Sequence, residues 1–493
     1  MTERQAAAPA PGPLETYAQQ FDDLFGTLSQ RDGFRRYLEG LLLPTERNKT
    51  LTALANAEPI VGAQQPAVQA LQWFLSESSW DAEAVTERRV ALLRADPATT
   101  PDDAGVLVID ETGDRKWGTK TAHVGRQYLG SIGKVDNGVV SVTSLWADAR
   151  VYYPLAVEPF TPKQHFPLGM KDPAYRTEPQ IALELVTQAV TDGIPFRAVV
   201  ADSFYGENDT FRTGLVQQGI GYVLALRPSH AWWAPIGTVN SLEEVARTAA
   251  WTAPEAPGDW QPVDRIFRDG HSERWWALEV GVGPYGPDKR QRAVIATTDP
   301  ATLPEPTTWS LVTNLPAPET DGAALSPLPP ADLTEVVRLY GLRNWVEQSY
   351  KQVKGALGWN AYQVRKDHAI RRHWALVCGA FAFCWWADRH DHAGDAEGEV
   401  PPRGATPQPS MDPLAAEPET RTVMGEKSAR GTSVTASAPS AGVVAGGPAP
   451  SARVAGAVDH AHALLARLVN TAPTAGAPSL ARLGRAGAAN HAL

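Results

Sequence analysis

Residues 331–358 read ADLTEVVRLYGLRNWVEQSYKQVKGALG. The spacing predicts one helix. Asp332 or Thr334 can cap its start, and Gly355 and Gly358 can stop it. Val336, Leu339, Leu342, Val346, Tyr350 and Val353 recur at helical intervals and mark a buried face. Tyr340, Arg343, Glu347 and Lys354 form a second, polar stripe at steps of three, four and seven. Those steps set four functional groups on one face. A solvated face can carry such a stripe. It becomes a site only if further carboxylates arrive from elsewhere in the chain.

Two short apolar runs supply them. Residues 105–110, GVLVID, and 196–201, FRAVVA, read as strands buried on both faces. Asp110 closes the first in this reading, and Asp202 follows the second. In open α/β sheets functional groups gather at the carboxyl ends of strands, where loops approach a ligand and the sheet stays rigid. NGVVSVTSLWA and RVYYPLAVEPF add strands, with Asn137-Gly138 as a hairpin turn. Residues 177–192 read as a helix capped by Thr177, GENDTFRTGLVQQG as another, and GYVLALR as a further strand. The order strand–strand–strand–helix–strand–helix–strand predicts a mixed α/β sheet.

Around this core the chain divides by composition. Residues 1–13 are rich in Ala and Pro and read as disordered. Residues 14–98 read as a helical N-terminal domain. Its pair 66–78 and 80–95 has the look of a helix–turn–helix, so DNA binding stands beside plain bundle packing. Residues 99–228 and 331–390 make the core, the latter including an apolar helix over 369–388. Residues 229–330 are Pro- and Gly-rich, with strands in ERWWALEVGVG, RAVIATT and TWSLVTNL, and read as a β-rich insertion. Residues 391–493 collapse into Ala, Pro, Gly and Ser and read as a mostly disordered tail.

The 493 residues suffice for a large core. Two cysteines, Cys378 and Cys384, give no disulfide framework or zinc set, which favours a reducing cytoplasm. No stretch of about 18 uncharged apolar residues suggests a membrane span. Net charge is −10, poor for a nucleic-acid binder taken globally. Thr334–Trp374, however, holds eight Lys/Arg against three acids, a local +5. A basic face on an acidic protein can still hold phosphate.

Three carboxylates converging would repel one another unless cations neutralised them. Ligation by carboxylates alone suits Mg²⁺ or Mn²⁺. Two such ions can clamp the attacking and leaving oxygens of a phosphodiester, while the Arg/Lys stripe holds phosphate.

VLVIDETGD, VVADSFYGEND and YGLRNWVEQSYKQVKG together resemble the DDE transposases of bacterial insertion sequences. The subgroup is the one with a Tyr–x2–Arg–x3–Glu–x6–Lys signature, which Tyr340, Arg343, Glu347 and Lys354 fit without a gap. DETGDRKWGTKTAHVGRQYLGSIGKVDNGVVSV is similar to the family block around the first aspartate. The resemblance spans roughly 14–390. It implies an RNase H-like core and a β-rich insertion before the acidic helix. It also implies catalytic, metal-holding Asp110, Asp202 and Glu347, with two Mg²⁺ or Mn²⁺ ions. Arg343 and Lys354 would contact end phosphates, and Tyr340 the DNA near the cut. Lys116, Lys120 and Arg126 would line the DNA. The implied reaction is hydrolysis at the element's end followed by transesterification. Its partners are double-stranded transposon ends and target, held by a homodimer at the bacterial nucleoid, with no membrane. Related enzymes stack a flipped base on tryptophan; Trp275, Trp276 and Trp309 are candidates, with core packing as the plainer role. Two rivals keep the fold: a metal-dependent nuclease, and an inactive or domesticated DNA-binding relic.

Overall fold

The computed structural model describes residues 8–10, 12–45, 47–233, 239–267, 270–280, 291–303 and 307–396. The tail from 397 onward, and residues 1–7 and 11 of the N-terminal segment, lie outside them.

The chain is a mixed α/β protein. Its sheet starts from β1 (Val106–Arg115), whose Val106–Ile109 are fully buried. β1 pairs antiparallel with β3 (Lys134–Ala147) and parallel with β5 (Ala198–Ala201). β2 (Gly125–Leu129) pairs with the start of β3, and β4 (Tyr152–Phe160) with its later part. β6 (Tyr222–Leu226) lies parallel to β5. Four strands thus precede the first core helix, one more than the apolar runs suggested, because RQYL forms β2.

The turn also moves. Asn137 and Gly138 lie inside β3, opposite Arg126 and Gly125. The chain reverses instead over Gly130–Ile132 and Gly133, whose φ of 65° suits glycine. Gly138 serves close packing: a Cβ there would stand 2.6 Å from the Asp114 carbonyl oxygen. Asn137 donates its side-chain amide to the carbonyls of Lys116 and Gly118, pinning the loop after β1.

Residues 229–330 do supply strands, and four of them continue the same sheet. They are β7 (Gln261–Ile266), β8 (Ser272–Val280), β9 (Arg292–Thr297) and β10 (Trp309–Thr313). Among the described residues the order is β2-β3-β1-β5-β6-β10-β9-β8-β7, with β4 on β3, ten strands in all.

The N-terminal segment forms α1 (Gly12–Gln19), α2 (Leu28–Leu42), α3 (Pro66–Ser76) and α4 (Ala82–Ala95). α5 (Glu178–Thr191), capped by Thr177, and α6 (Asp209–Gln217) follow in the core. The stretch 331–358 forms two helices rather than one. α7 (Leu333–Gly341) starts at Asp332, whose side chain accepts from the Glu335 amide at 2.7 Å. α8 (Asn344–Gly355) begins after a tightened junction. There the amides of Arg343, Trp345 and Val346 bond three residues back, to Tyr340, Leu342 and Arg343. α9 (Asp367–Ala396) ties the N-terminal helices to the sheet. Arg89 of α4, 1% exposed, donates to the β4 carbonyls of Pro154 and Leu155 at 2.6 and 2.7 Å. The pair α3–α4 is therefore packed into the common core. No helix of the described residues is long and apolar enough to cross a membrane.

Candidate active site

The β1–β5 register pairs Val106 with Ala198, Leu107 with Val199 and Val108 with Val200. Beyond that register β1 carries Asp110 past the end of β5, where Asp202 follows Ala201. Asp110 does not end its strand, since β1 runs on to Arg115 against β3. Its parallel partner ends instead: β5 stops at Ala201, and Asp202 caps a one-turn helix, accepting from the Phe204 amide at 3.0 Å. β1 therefore runs on past the end of its parallel neighbour.

α8 brings the third carboxylate. Trp345 stacks on Tyr152 of β4 with ring centroids 4.8 Å apart. The Tyr152 hydroxyl donates to Gln352 at 3.0 Å, and the Tyr350 hydroxyl meets that of Thr143. These contacts lay α8 across β3 and β4, with Glu347 turned toward Asp110.

Arg343 stands between the two acids. Its Nη2 donates to Asp110 at 3.1 Å and its Nη1 to Glu347 at 3.2 Å. Burial, opposed by this guanidinium and reinforced by Asp202 and Glu347, pushes the Asp110 carboxyl up to about 7. Arg343, itself 6% exposed, is held well above its usual range by Asp110, despite burial. Lys354 lies further along α8. Its ammonium pairs with Asp114 at 2.8 Å and donates to the Gly113 carbonyl at 3.1 Å. Tyr340 is 5% exposed and packs edge-on against Trp309 at 5.0 Å. Burial pushes its hydroxyl up to about 12.

The expected DNA-facing residues therefore separate. Tyr340 and Arg343 are buried, and Lys354 is engaged with a buried acid. Lys120 and Arg126 are exposed, with no ion pair among the described residues. Lys116 lies between: its ammonium sits 3.3 Å from the Tyr362 ring centroid and donates to the Asn360 carbonyl. Burial lowers it to about 8. Trp275 and Trp276 are 3% and 5% exposed and pack in the core.

The structure adds two carboxylates to the neighbourhood. Glu111 is raised well above the usual range by burial, then by Asp202, Asp110 and Glu178. Glu178, in the first turn of α5, is pushed up to about 7 by burial. Adjacency to Asp110 was a signal for Glu111. Glu178 gave none, since a first-turn glutamate is ordinary helix chemistry.

Crowded carboxylates of this kind match the donor chemistry of a hard divalent cation. As the side chains stand, no group of three or more His, Cys, Asp or Glu among the described residues is placed to hold one. The guanidinium of Arg343 supplies the counter-charge between Asp110 and Glu347. The donors fit a metal in kind, and Arg343 would have to yield to it.

Two comparisons bear on this geometry. Residues 20–264, which include Asp110 and Asp202, match a family model described as a DDE superfamily endonuclease. The chain is also 32% identical over 367 residues to a protein of Microchaete diplosiphon named "Probable transposase for insertion sequence element IS701". That match covers 74% of this chain and 85% of the relative. With this family match and a relative so widely matched, this chain is an enzyme that belongs to the DDE superfamily endonucleases.

Proposed function

We propose that the chain is an insertion-sequence transposase, which cuts double-stranded DNA at the element's ends and joins them to a target. The observation that carries this reading is the gathering of three carboxylates: Arg343 bridges Asp110 and Glu347, and Asp202, just past the end of β5, is close enough to act on Asp110. DDE superfamily nucleases in general use divalent metal ions. Asp110, Asp202 and Glu347 would hold two Mg²⁺ or Mn²⁺ ions, which supply Lewis-acid activation of water and of the scissile phosphodiester.

The chain's own residues divide the remaining work. β1 and β5 fix the two aspartates on a rigid sheet, so that their spacing does not depend on loops. Arg343 balances Asp110 and Glu347 until the site is loaded. Lys120 and Arg126 offer free charge for phosphate, and Lys116 borders them. Arg343 and Lys354 can reach DNA only by leaving Asp110, Glu347 and Asp114. The order Tyr340, Arg343, Glu347, Lys354 supports placement in the Tyr–Arg–Glu–Lys subgroup. Cutting two ends in concert favours a homodimer on DNA, working at the nucleoid.

The test is strand cleavage of a duplex carrying the element's end, with Mg²⁺ or Mn²⁺. Asp110→Asn, Asp202→Asn and Glu347→Gln should each abolish the nick while leaving the fold intact. A nick that survives any of these substitutions removes that residue from the site. A wild-type chain that binds the end and does not cut it would favour the DNA-binding relic.

A further inference from the structure

Arg265 is held inward and makes no hydrogen bond or ion pair among the described residues. It lies on β7, the outer strand of the sheet. Val263 and Arg265 share the inner face of that strand, while Asp264 and Ile266 face outward. Three aromatic rings surround its guanidinium. The Cζ atom lies 4.6 Å from the Trp275 ring centroid and 4.7 Å from those of Trp309 and Phe267.

The guanidinium also rests on the end of α7. A Cβ at Gly341 would stand 2.6 Å from its Nη2, so the lack of a side chain there makes room for it. Through Trp309 it is one ring away from Tyr340, which packs against that tryptophan.

Other arginines held inward have oxygen partners. Arg35 pairs with Glu15 and Asp22, and Arg292 with Glu279. Arg89 and Arg372 donate to backbone carbonyls. Glu273, directly across the ladder, accepts from the Trp275 indole at 3.0 Å and favours the Arg265 charge from a distance without pairing with it. Burial lowers Arg265 to about 10, which still leaves it cationic at neutral pH.

A guanidinium needs either an anion or a polarisable surface to be held away from water. Here the rings and the bare helix end hold it, and its N–H donors stay uncommitted. Five donors in a planar fork match the oxygens of a phosphodiester. The Trp309 ring links it to Tyr340, which lies close enough to Asp202, Glu347 and Asp110 for their charges to act on its hydroxyl.

We propose that Arg265 is a phosphate-binding residue, which grips the backbone of the DNA strand where it leaves the active site past Tyr340. This rests on the reading of the chain as an enzyme of DNA ends. It gives the β-rich segment 229–330 a share in holding that DNA.

The experiment measures binding of the full chain to a duplex carrying the element's end, across a range of salt concentrations. Arg265→Gln should weaken binding and lower the slope of log affinity against log salt by about 0.9, the signature of one lost phosphate contact. Arg265→Lys should keep the slope and lose part of the affinity, since the ammonium keeps charge but not the fork. Gly341→Ala provides a second route that leaves Arg265 in the sequence. Its methyl group displaces only the flexible end of that side chain, so the protein should fold and still bind more weakly. An unchanged slope in Arg265→Gln, or a loss of affinity only in step with loss of folding, overturns the inference while leaving the transposase reading in place. A wild-type chain that binds no end duplex overturns both.

Discussion

Two regions beside the carboxylates carry positive charge, and they use it in opposite ways. At the start and end of α8, Arg343 and Lys354 turn inward, with side chains 7% and 17% exposed, and each faces an acid. On the connection after β1 and in β2, Lys120 and Arg126 face solvent. Beside them Trp117 is 85% exposed, with the Arg115 guanidinium 4.0 Å from its ring centroid. The first pair holds the site together. The second can release counterions to a phosphate backbone. A charge in the sequence reports its sign, and only the fold reports whether it is already compensated.

The inner pair should respond to substitution through stability. Arg343→Ala leaves Asp110, 7% exposed, without its cation. Breaking a buried pair in this way costs about 3–5 kcal/mol. Chemical denaturation without metal should show that loss, and added Mn²⁺ should recover part of it, because a cation can replace the guanidinium. A variant as stable as the wild type would mean that Arg343 balances nothing.

A third buried group shows what the interior does with a base that lacks an acid. His373 of α9 is fully buried. Its Nε2 donates to the Gly358 carbonyl at 3.0 Å, so its Nδ1 accepts from the Tyr37 hydroxyl at 2.9 Å. Burial lowers it from 6.5 to about 4. The folded value lies below the unfolded one, so the unfolded chain binds the proton first. The stability is intact above about 6.5 and is lost as the pH falls toward 4, by about 3 kcal/mol in total. The difference in unfolding free energy between wild type and His373→Gln, followed from pH 7 to 4.5, should carry that slope. Parallel curves would place a charged imidazole in the core.

Lys354→Ala should cost less, about 2 kcal/mol, as Asp114 at 2% exposure loses its partner and takes up a proton or water. Denaturant unfolding would measure it. If the cost matched that of an exposed lysine, the pair with Asp114 would be ornamental.

The same contrast explains what was legible beforehand. The apolar runs gave β1 and β5, and the positions of Asp110 and Asp202 followed from them, because buried strands have little freedom in register. Strand length was not legible. DETGDR continues β1 with mixed polarity, and only its pairing with β3 keeps it extended. The break between α7 and α8 was hidden as well: Gly341 ends α7, but a lone glycine inside a periodic stretch is tolerated in a helix, and the tightening arises from backbone bonds three residues back. Asn137-Gly138 looks like a turn by local chemistry, yet the crossing of Asp114 and Leu129 over Gly138 claims it for a strand. The Tyr–Arg–Glu–Lys spacing showed which side chains share a face. It was silent about Asp114, which lies in another strand and removes Lys354 from solvent.

The outer pair should respond through binding alone. Lys120→Ala and Arg126→Ala disturb no ion pair among the described residues, so the denaturation midpoint should stay where it is. Each substitution should lower the salt slope of DNA binding by about 0.9, and the double variant by about twice that. Additivity matters here, because residues that do not touch each other contribute independently, whereas a shared network does not. A slope unchanged by either substitution, with Arg343→Ala lowering it instead, would reverse the assignment: the buried guanidinium would then be the one that meets phosphate, and Asp110 would have to release it when DNA binds.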